Sequence, residues 1–466
     1  MNYDEIDNIV YSEHVQPILN NSCAAAACHN SADRAFDFST ESYADLEAGS
    51  RFGSMIVPFE PERSHFYLHV TGDIEPRMPL GLDPLSDPIV RFLERWIAQG
   101  ARDDDGSVMY SGATSKAFIA CQGENSVAVV DTETGHLIRL IPVDAPHSVH
   151  VDRAGHRLFV SRFQTAPDNI HVYDTRTYEL LYTGRAGTFP ALMEMTPDGS
   201  QLWVTNFDGG GPSADHAVRV LDPDTLAEIE FFEFGTAVQQ PHGLAMNEAG
   251  TLVYVSNIIS DNVWGFFTGV GLGVAPNVDL FPVDLPDLPG LNHRPQQCVL
   301  SADENHLFVS TLETNRIYAL DLAAAGGPNP WVGEVIVPTG PWHIALSKDW
   351  MGGHELWVAN WLDSSVSIVA VSDPTAMTVV GAPLRPTHPA DDELAVLLRP
   401  IGIAFSPDGT QVYVSCANDD DQSSGHHPAP DGEKNPGSVV VFDAATRTVV
   451  AVAEVPNFAR FASFQP

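Results

Sequence analysis

One phrase, written seven times, constrains this chain more than any other feature. It runs Ala117-Phe118-Ile119-Ala120-Cys121, Leu158-Phe159-Val160-Ser161-Arg162, Leu202-Trp203-Val204-Thr205-Asn206 and Val253-Tyr254-Val255-Ser256-Asn257. It continues as Leu307-Phe308-Val309-Ser310-Thr311, Leu356-Trp357-Val358-Ala359-Asn360 and Val412-Tyr413-Val414-Ser415-Cys416. Short runs of β-branched and aromatic residues form strands. A strand and an Asp-Gly turn precede later copies, as in residues 193–205 and 403–415, and a further strand follows, as in 127–141 and 439–452. Repeats of about fifty residues cannot bury an apolar face alone, so they stack on their neighbours. Four strands per repeat and seven repeats read as a seven-bladed β-propeller. The first repeat lacks its innermost strand. The apolar tail Phe458-Ala459-Arg460-Phe461-Ala462-Ser463-Phe464 is expected to supply it and close the ring.

These phrases resemble the YVTN-type propellers over residues 115–466, a group that includes the nitrous oxide reductase propeller. The resemblance implies the fold and leaves the activity open, since this fold hosts many functions. Residues at the start of each innermost strand converge on the central channel, and here they read Pro146-His147, Pro190-Ala191, Pro241-His242, Pro295-Gln296, Pro341-Trp342-His343, Pro400-Ile401 and Pro456-Asn457. His147, His242 and His343 come from separate blades, and convergent imidazoles bind copper or zinc. The copper hub of the resembling propeller uses more histidines than these three; His150, His293, His426 and His427 stand out of register. The other reading of the same three residues is hydrogen bonding to backbone and water at the channel mouth.

Ahead of the repeats stands Cys23-Ala24-Ala25-Ala26-Ala27-Cys28-His29. Two thiols followed directly by an imidazole suit covalent haem attachment, in which the cysteines add to the vinyl groups and the histidine ligates the iron. The bland reading is an alanine-rich helix whose cysteines form a disulfide or a buried pair. A thioether on the opposite face completes the His/Met ligation of electron-transfer cytochromes, and Met78, in the Arg77-Met78-Pro79 turn, is placed to provide it. Ser86-Asp87-Pro88 starts a helix in which Ile89, Phe92, Leu93, Trp96 and Ile97 repeat at helical spacing until Gly100 stops it.

Taken in order, these motifs resemble the small cytochrome c domains of planctomycete and myxobacterial type. The shared elements are Val15-Gln16-Pro17-Ile18-Leu19, the Cys-Cys-His site, Ile56-Val57-Pro58 with Pro61 and Ser64, Met78-Pro79, and Trp96-Ile97-Ala98-Gln99-Gly100-Ala101. The resemblance covers residues 8 to 103. It implies one covalent haem c tethered by Cys23 and Cys28, with His29 proximal and Met78 distal. Ala25 takes the place of the first cysteine of the shorter C-x-x-C-H motif, which leaves attachment through both thiols or through Cys28 alone.

The expected organisation is therefore multidomain: a small all-α cytochrome c domain over residues 1–103, a linker over 104–114, and an all-β seven-bladed propeller over 115–466. The chain has 23 basic against 61 acidic residues, a formal charge of −38, and only Lys116, Lys348 and Lys434 as lysines. Such a surface excludes nucleic acid, whose phosphates need Lys and Arg. It suits a cationic redox partner, and it reads either as salt adaptation or as ordinary acidity. No apolar run is long enough to span a membrane. Covalent haem attachment takes place outside the bacterial inner membrane, so a periplasmic or extracellular location and a removed leader are expected. Cys121, Cys298 and Cys416 fall in strand phrases and read as buried thiols. The stretch 417–438 reads as a solvated loop, with a calcium contact at Asp419-Asp420-Asp421 the sharper alternative. An electron carrier with a propeller scaffold is the leading reading. The others are an oxidoreductase fed by the cytochrome at a hub metal and a surface binding protein. Nitrite reductases that join a cytochrome c domain to a propeller resemble the second in domain order but have eight blades.

Overall fold

The computed structural model describes residues 2–207, 217–233, 240–268, 281–283, 285, 292–324, 330–348, 353–418 and 435–465. His426, His427 and Asp419 to Asp421 lie outside the described residues. The chain divides into two compact units. One comprises residues 1–117 with 128–141 and 451–454, the other 118–127, 142–450 and 455–466.

Seven four-stranded antiparallel sheets form the blades of a β-propeller. Blades 2 to 7 open on innermost strands Pro146–Val151, Pro190–Met195, Pro241–Met246, Pro295–Leu300, Pro341–Leu346 and Pro400–Phe405. Each begins with proline, which is tolerated there because the first residue of a strand need not donate to the ladder. In the first sheet, Lys116–Cys121 lies between Ser126–Asp131 and Ala459–Gln465, so the C-terminal segment is the innermost strand of blade 1. The equivalence is marked in the backbone. A residue with positive φ precedes every innermost strand: Ala145, Phe189, Gln240, Arg294, Gly340, Arg399 and, ahead of the tail strand, Phe458.

The repeated phrase is the second strand of each blade, and its parts have separate jobs. The aromatic or large residue at its centre (Phe159, Trp203, Tyr254, Phe308, Trp357 or Tyr413) is at most 2% exposed. Phe159 of blade 2 packs with Met193, Met195, Leu202 and Val204 of blade 3, and Phe308 of blade 5 with Ile344, Leu356 and Val358 of blade 6. In blades 2 to 5 the hydroxyl residue two positions on joins consecutive blades. The innermost strands of blades 2 to 7 slip register just after their prolines, which takes one N–H out of the ladder. Ser148, Leu192, Gly243 and Gln297 donate those N–H groups to Ser161, Thr205, Ser256 and Ser310 of the same blade, at 3.0 to 3.2 Å. The same four hydroxyls donate onward to the carbonyls of Ala191, His242, Gln296 and Trp342 of the next blade, at 2.7, 3.0, 3.1 and 2.6 Å. Cys121, Cys298 and Cys416 are buried thiols outside any disulfide; burial pushes those of Cys298 and Cys416 up to about 12.

The N-terminal unit carries short helices: α1 (Gln16–Ser22), α2 (Tyr43–Glu47), α3 (His65–Thr71) and α4 (Asp87–Ala98). Phe92, Leu93, Trp96 and Ile97 are the buried face of α4 and join Val15, Ile18, Leu19, Ile56, Val57 and Phe66 as buried apolar residues. Ser64, fully buried, ties its loop from within: Val57 N donates to its Oγ at 2.9 Å and the Oγ donates to the Glu60 carbonyl at 2.8 Å. Gly100 has φ +98°, and a Cβ there would fall 2.7 Å from the Phe59 ring, so only glycine ends α4 in this way. Met109 and Tyr110, from the stretch after α4, are buried.

The hydroxyl that bridges two blades gives a specific expectation. Ser310→Ala strands the Gln297 N–H and one bond to the Trp342 carbonyl, and should destabilise the propeller by about 1–3 kcal/mol. Ser310→Thr, which copies Thr205, should be nearly neutral. Denaturant midpoints of the two variants check this.

Candidate functional site

The sequence-selected residues fall into two places. The first lies in the loop after α1. Cys23 caps that helix, its N–H donating to the Leu19 carbonyl at 2.8 Å, and the Cys23 carbonyl then accepts from His29 N at 3.1 Å. The four alanines bulge between the thiols, with Ala27 at φ +64°. Asp33 and Asn30 clamp the bulge: the Asp33 carboxylate accepts from Ala27 N and Asn30 Nδ2, and Asn30 Nδ2 also donates to the Ala25 carbonyl. Cys23 and Cys28 are both half-buried and free. Burial, and after it the neighbouring Cys28, push the Cys23 thiol up to about 12.

The His29 ring is held by its backbone surroundings. Its Nδ1 lies 3.2 Å from the Ala35 carbonyl, and the Phe38 ring stands edge-on at 5.3 Å. Burial lowers its pKa; the Ala35 and Phe38 backbone groups oppose that, and a charge on nearby His69 lowers it further. An imidazole with one nitrogen on a carbonyl is oriented as metal-binding histidines usually are. Met78 sits on a separate loop folded back on α3, its N–H donating to the His69 carbonyl at 2.8 Å. His69, which sequence reasoning did not single out, bonds this loop. The available signal was its position on the helix just before the Met78 loop.

The shape of these loops is unusual. Ala27, Arg34, Phe36 and Asp37 all take positive φ without being glycine, a conformation such residues adopt only where the surroundings impose it. Phe36 in the first loop is 53% exposed, and Leu80 and Leu82, just after Met78, are 68% and 64% exposed.

The second place is the propeller hub. His147, His242 and His343 do converge, around Phe461, whose ring centre lies 5.8, 6.3 and 4.9 Å from theirs. His343 stands one position later along its strand than His147 and His242, because Gly340 holds the positive-φ place that fixes the register. Arg460, fully buried, donates to His147 Nε2 at 2.8 Å, and burial pushes its pKa down to about 9. His242 Nδ1 lies 2.9 Å from the Gln296 carbonyl and His343 Nδ1 3.0 Å from that of Ile403. The histidines thus bond backbone and a guanidinium, and a cation beside His147 opposes a second one. Among the described residues, no group of three or more His, Cys, Asp or Glu is placed to hold a metal ion.

No family model matches the chain, and no curated protein matches it. Solved structures do. The periplasmic gluconolactonase PpgL of Pseudomonas aeruginosa superposes with a TM-score of 0.53 at 16% identity, over 76% of this chain and 99% of that one. A functionally unknown protein from Desulfotomaculum acetoxidans gives 0.52 at 14% identity, over 74% and 99%. The likeness is one of fold. The dihydro-haem d1 dehydrogenase NirN, in complex with DHE, aligns over 97% of both chains at 14% identity, but its TM-score of 0.48 is too low to carry an argument. No described helix is long and apolar enough to cross a membrane.

Burial of the hub imidazoles sets a pH dependence. It lowers His242 to about 3 and His343 to about 4 from an ordinary 6.5. The unfolded chain therefore takes up protons that the folded chain refuses as pH falls, so this contribution to stability is full above about pH 6.5 and declines towards pH 4. Denaturant midpoints over that range should fall for the native sequence and fall less steeply for a His242→Asn, His343→Asn double variant.

Proposed function

We propose that the chain is a c-type monohaem electron-transfer protein whose propeller acts as a docking scaffold. The cytochrome c domain would occupy residues 1–103, the link 104–114 and the propeller 115–466. The observation that carries the reading is the loop from Cys23 to Ala35. It keeps two thiols half-buried and unbonded to each other beside an imidazole already tied to a carbonyl. Its left-handed residues and exposed Phe36, with Leu80 and Leu82 on the Met78 loop, fit a flat apolar group held between them.

Cys23 and Cys28 would tether the porphyrin, His29 would hold the iron on one side and Met78 on the other. Bound there, the iron would supply a one-electron couple. The remaining work belongs to the chain itself: Asp33 and Asn30 keep the bulge between the thiols open, and Ala35 holds the His29 ring. The hub, with Arg460 and Phe461 among its histidines, favours a structural core over a second metal. Attachment of this kind supports a periplasmic or extracellular location. The formal charge of −38 supports a partner with a cationic docking face.

Two measurements test this. Protein made in cells that mature c-type haem should contain one iron per chain and keep its colour after denaturation, and Cys28→Ser should lose that covalent colour. A colourless native chain overturns the proposal. Electron transfer from a cationic donor should slow as ionic strength rises, because a Debye length of about 10 Å at 0.1 M salt screens long-range steering.

A further inference from the structure

We infer that His69 is a positioning residue that holds the Met78 loop in place for the iron, an inference that rests on the proposed function. Two bonds from this one residue span the loop. The ring Nδ1 lies 2.9 Å from the Pro76 carbonyl, and the main-chain carbonyl accepts from Met78 N at 2.8 Å. The ring therefore holds the residue two before Met78, and the backbone holds Met78 itself. Together they set where the thioether stands relative to α3.

Among the described residues, the rest of the loop has little to replace them. Gly72 ends α3 in the left-handed conformation, and the chain then leaves the helix. Ile74 N reaches back to the Leu68 carbonyl at 3.4 Å, and Arg77 N donates to Glu75 at 3.1 Å, within the loop itself. Arg77 packs its side chain over Gly72, and among the described hydrogen bonds the His69 ring is what ties the backbone between Ile74 and Met78 to α3. A histidine whose Nδ1–H donates to a carbonyl has its ring plane fixed by that bond. A side chain that anchors the ligand loop from outside the iron's own ligands acts as outer-shell partners do, and their loss typically weakens ligation 10–100-fold, here about tenfold or more.

The test uses the mature haem protein as the native chain and as His69→Ala, His69→Asn and Met78→Ala variants. Three quantities are read: covalent haem per chain, the weak long-wavelength band of thioether-ligated ferric haem, and the midpoint potential. Thermal midpoints of all four confirm folding. The native chain should show the band and Met78→Ala should lack it. His69→Ala should keep its covalent haem while the thioether-bound fraction falls about tenfold and the potential drops. His69→Asn, whose amide can still donate to the Pro76 carbonyl, should restore both. A His69→Ala protein with the native band and potential overturns the inference and leaves the electron-carrier reading intact. Covalent haem without the band in the native chain overturns the inference through Met78. A native chain without covalent haem overturns both.

Discussion

The propeller depends on how each innermost strand disposes of the backbone group that its register slip leaves over. An N–H removed from the ladder near the hub is costly unless bonded. Four blades meet that need with the same hydroxyl, which accepts from its own strand and donates to the neighbouring blade. The residue that repairs one sheet thereby fastens the next. Packing of large side chains between blades buries apolar surface, yet it is non-directional; the hydroxyl adds a directional tie from blade to blade.

The N-terminal unit follows the opposite logic. Its helices are short, and its order comes from loops stapled by single residues such as Ser64, Asn30 and Asp33. Such loops hold strained backbone at the positions where chemistry is expected. The positive-φ cluster from Arg34 to Asp37 is of this kind.

The blades were legible in the sequence because each is a local pattern of β-branched and aromatic residues between turns, repeated until chance is excluded. The tail strand was legible for the same reason, as an apolar segment left over from an incomplete first repeat. The contents of the hub were not. Arg460 lay inside that tail, and only its alignment behind Phe458 as a seventh innermost strand would have set it beside His147. Helix α4 was readable from its 3.6-residue period, and the proposed haem residues Cys23, Cys28, His29 and Met78 rest on motif spacing. The His69 bond to the Pro76 carbonyl escaped because a ring-to-carbonyl bond across a turn leaves no periodic trace. The side chains that converge from distant blades, or that act through backbone, are those that sequence patterns record least.

The pairing of Lys116–Cys121 with Ala459–Gln465 has a further consequence for how the molecule is made. During synthesis the first sheet emerges with a bare inner edge, open to mispairing, and waits for almost the whole of the remaining polypeptide before its missing neighbour arrives. Contacts of such sequence separation form slowly. The toroid is thus latched last, and the nascent protein spends its longest vulnerable interval with that one seam unsewn.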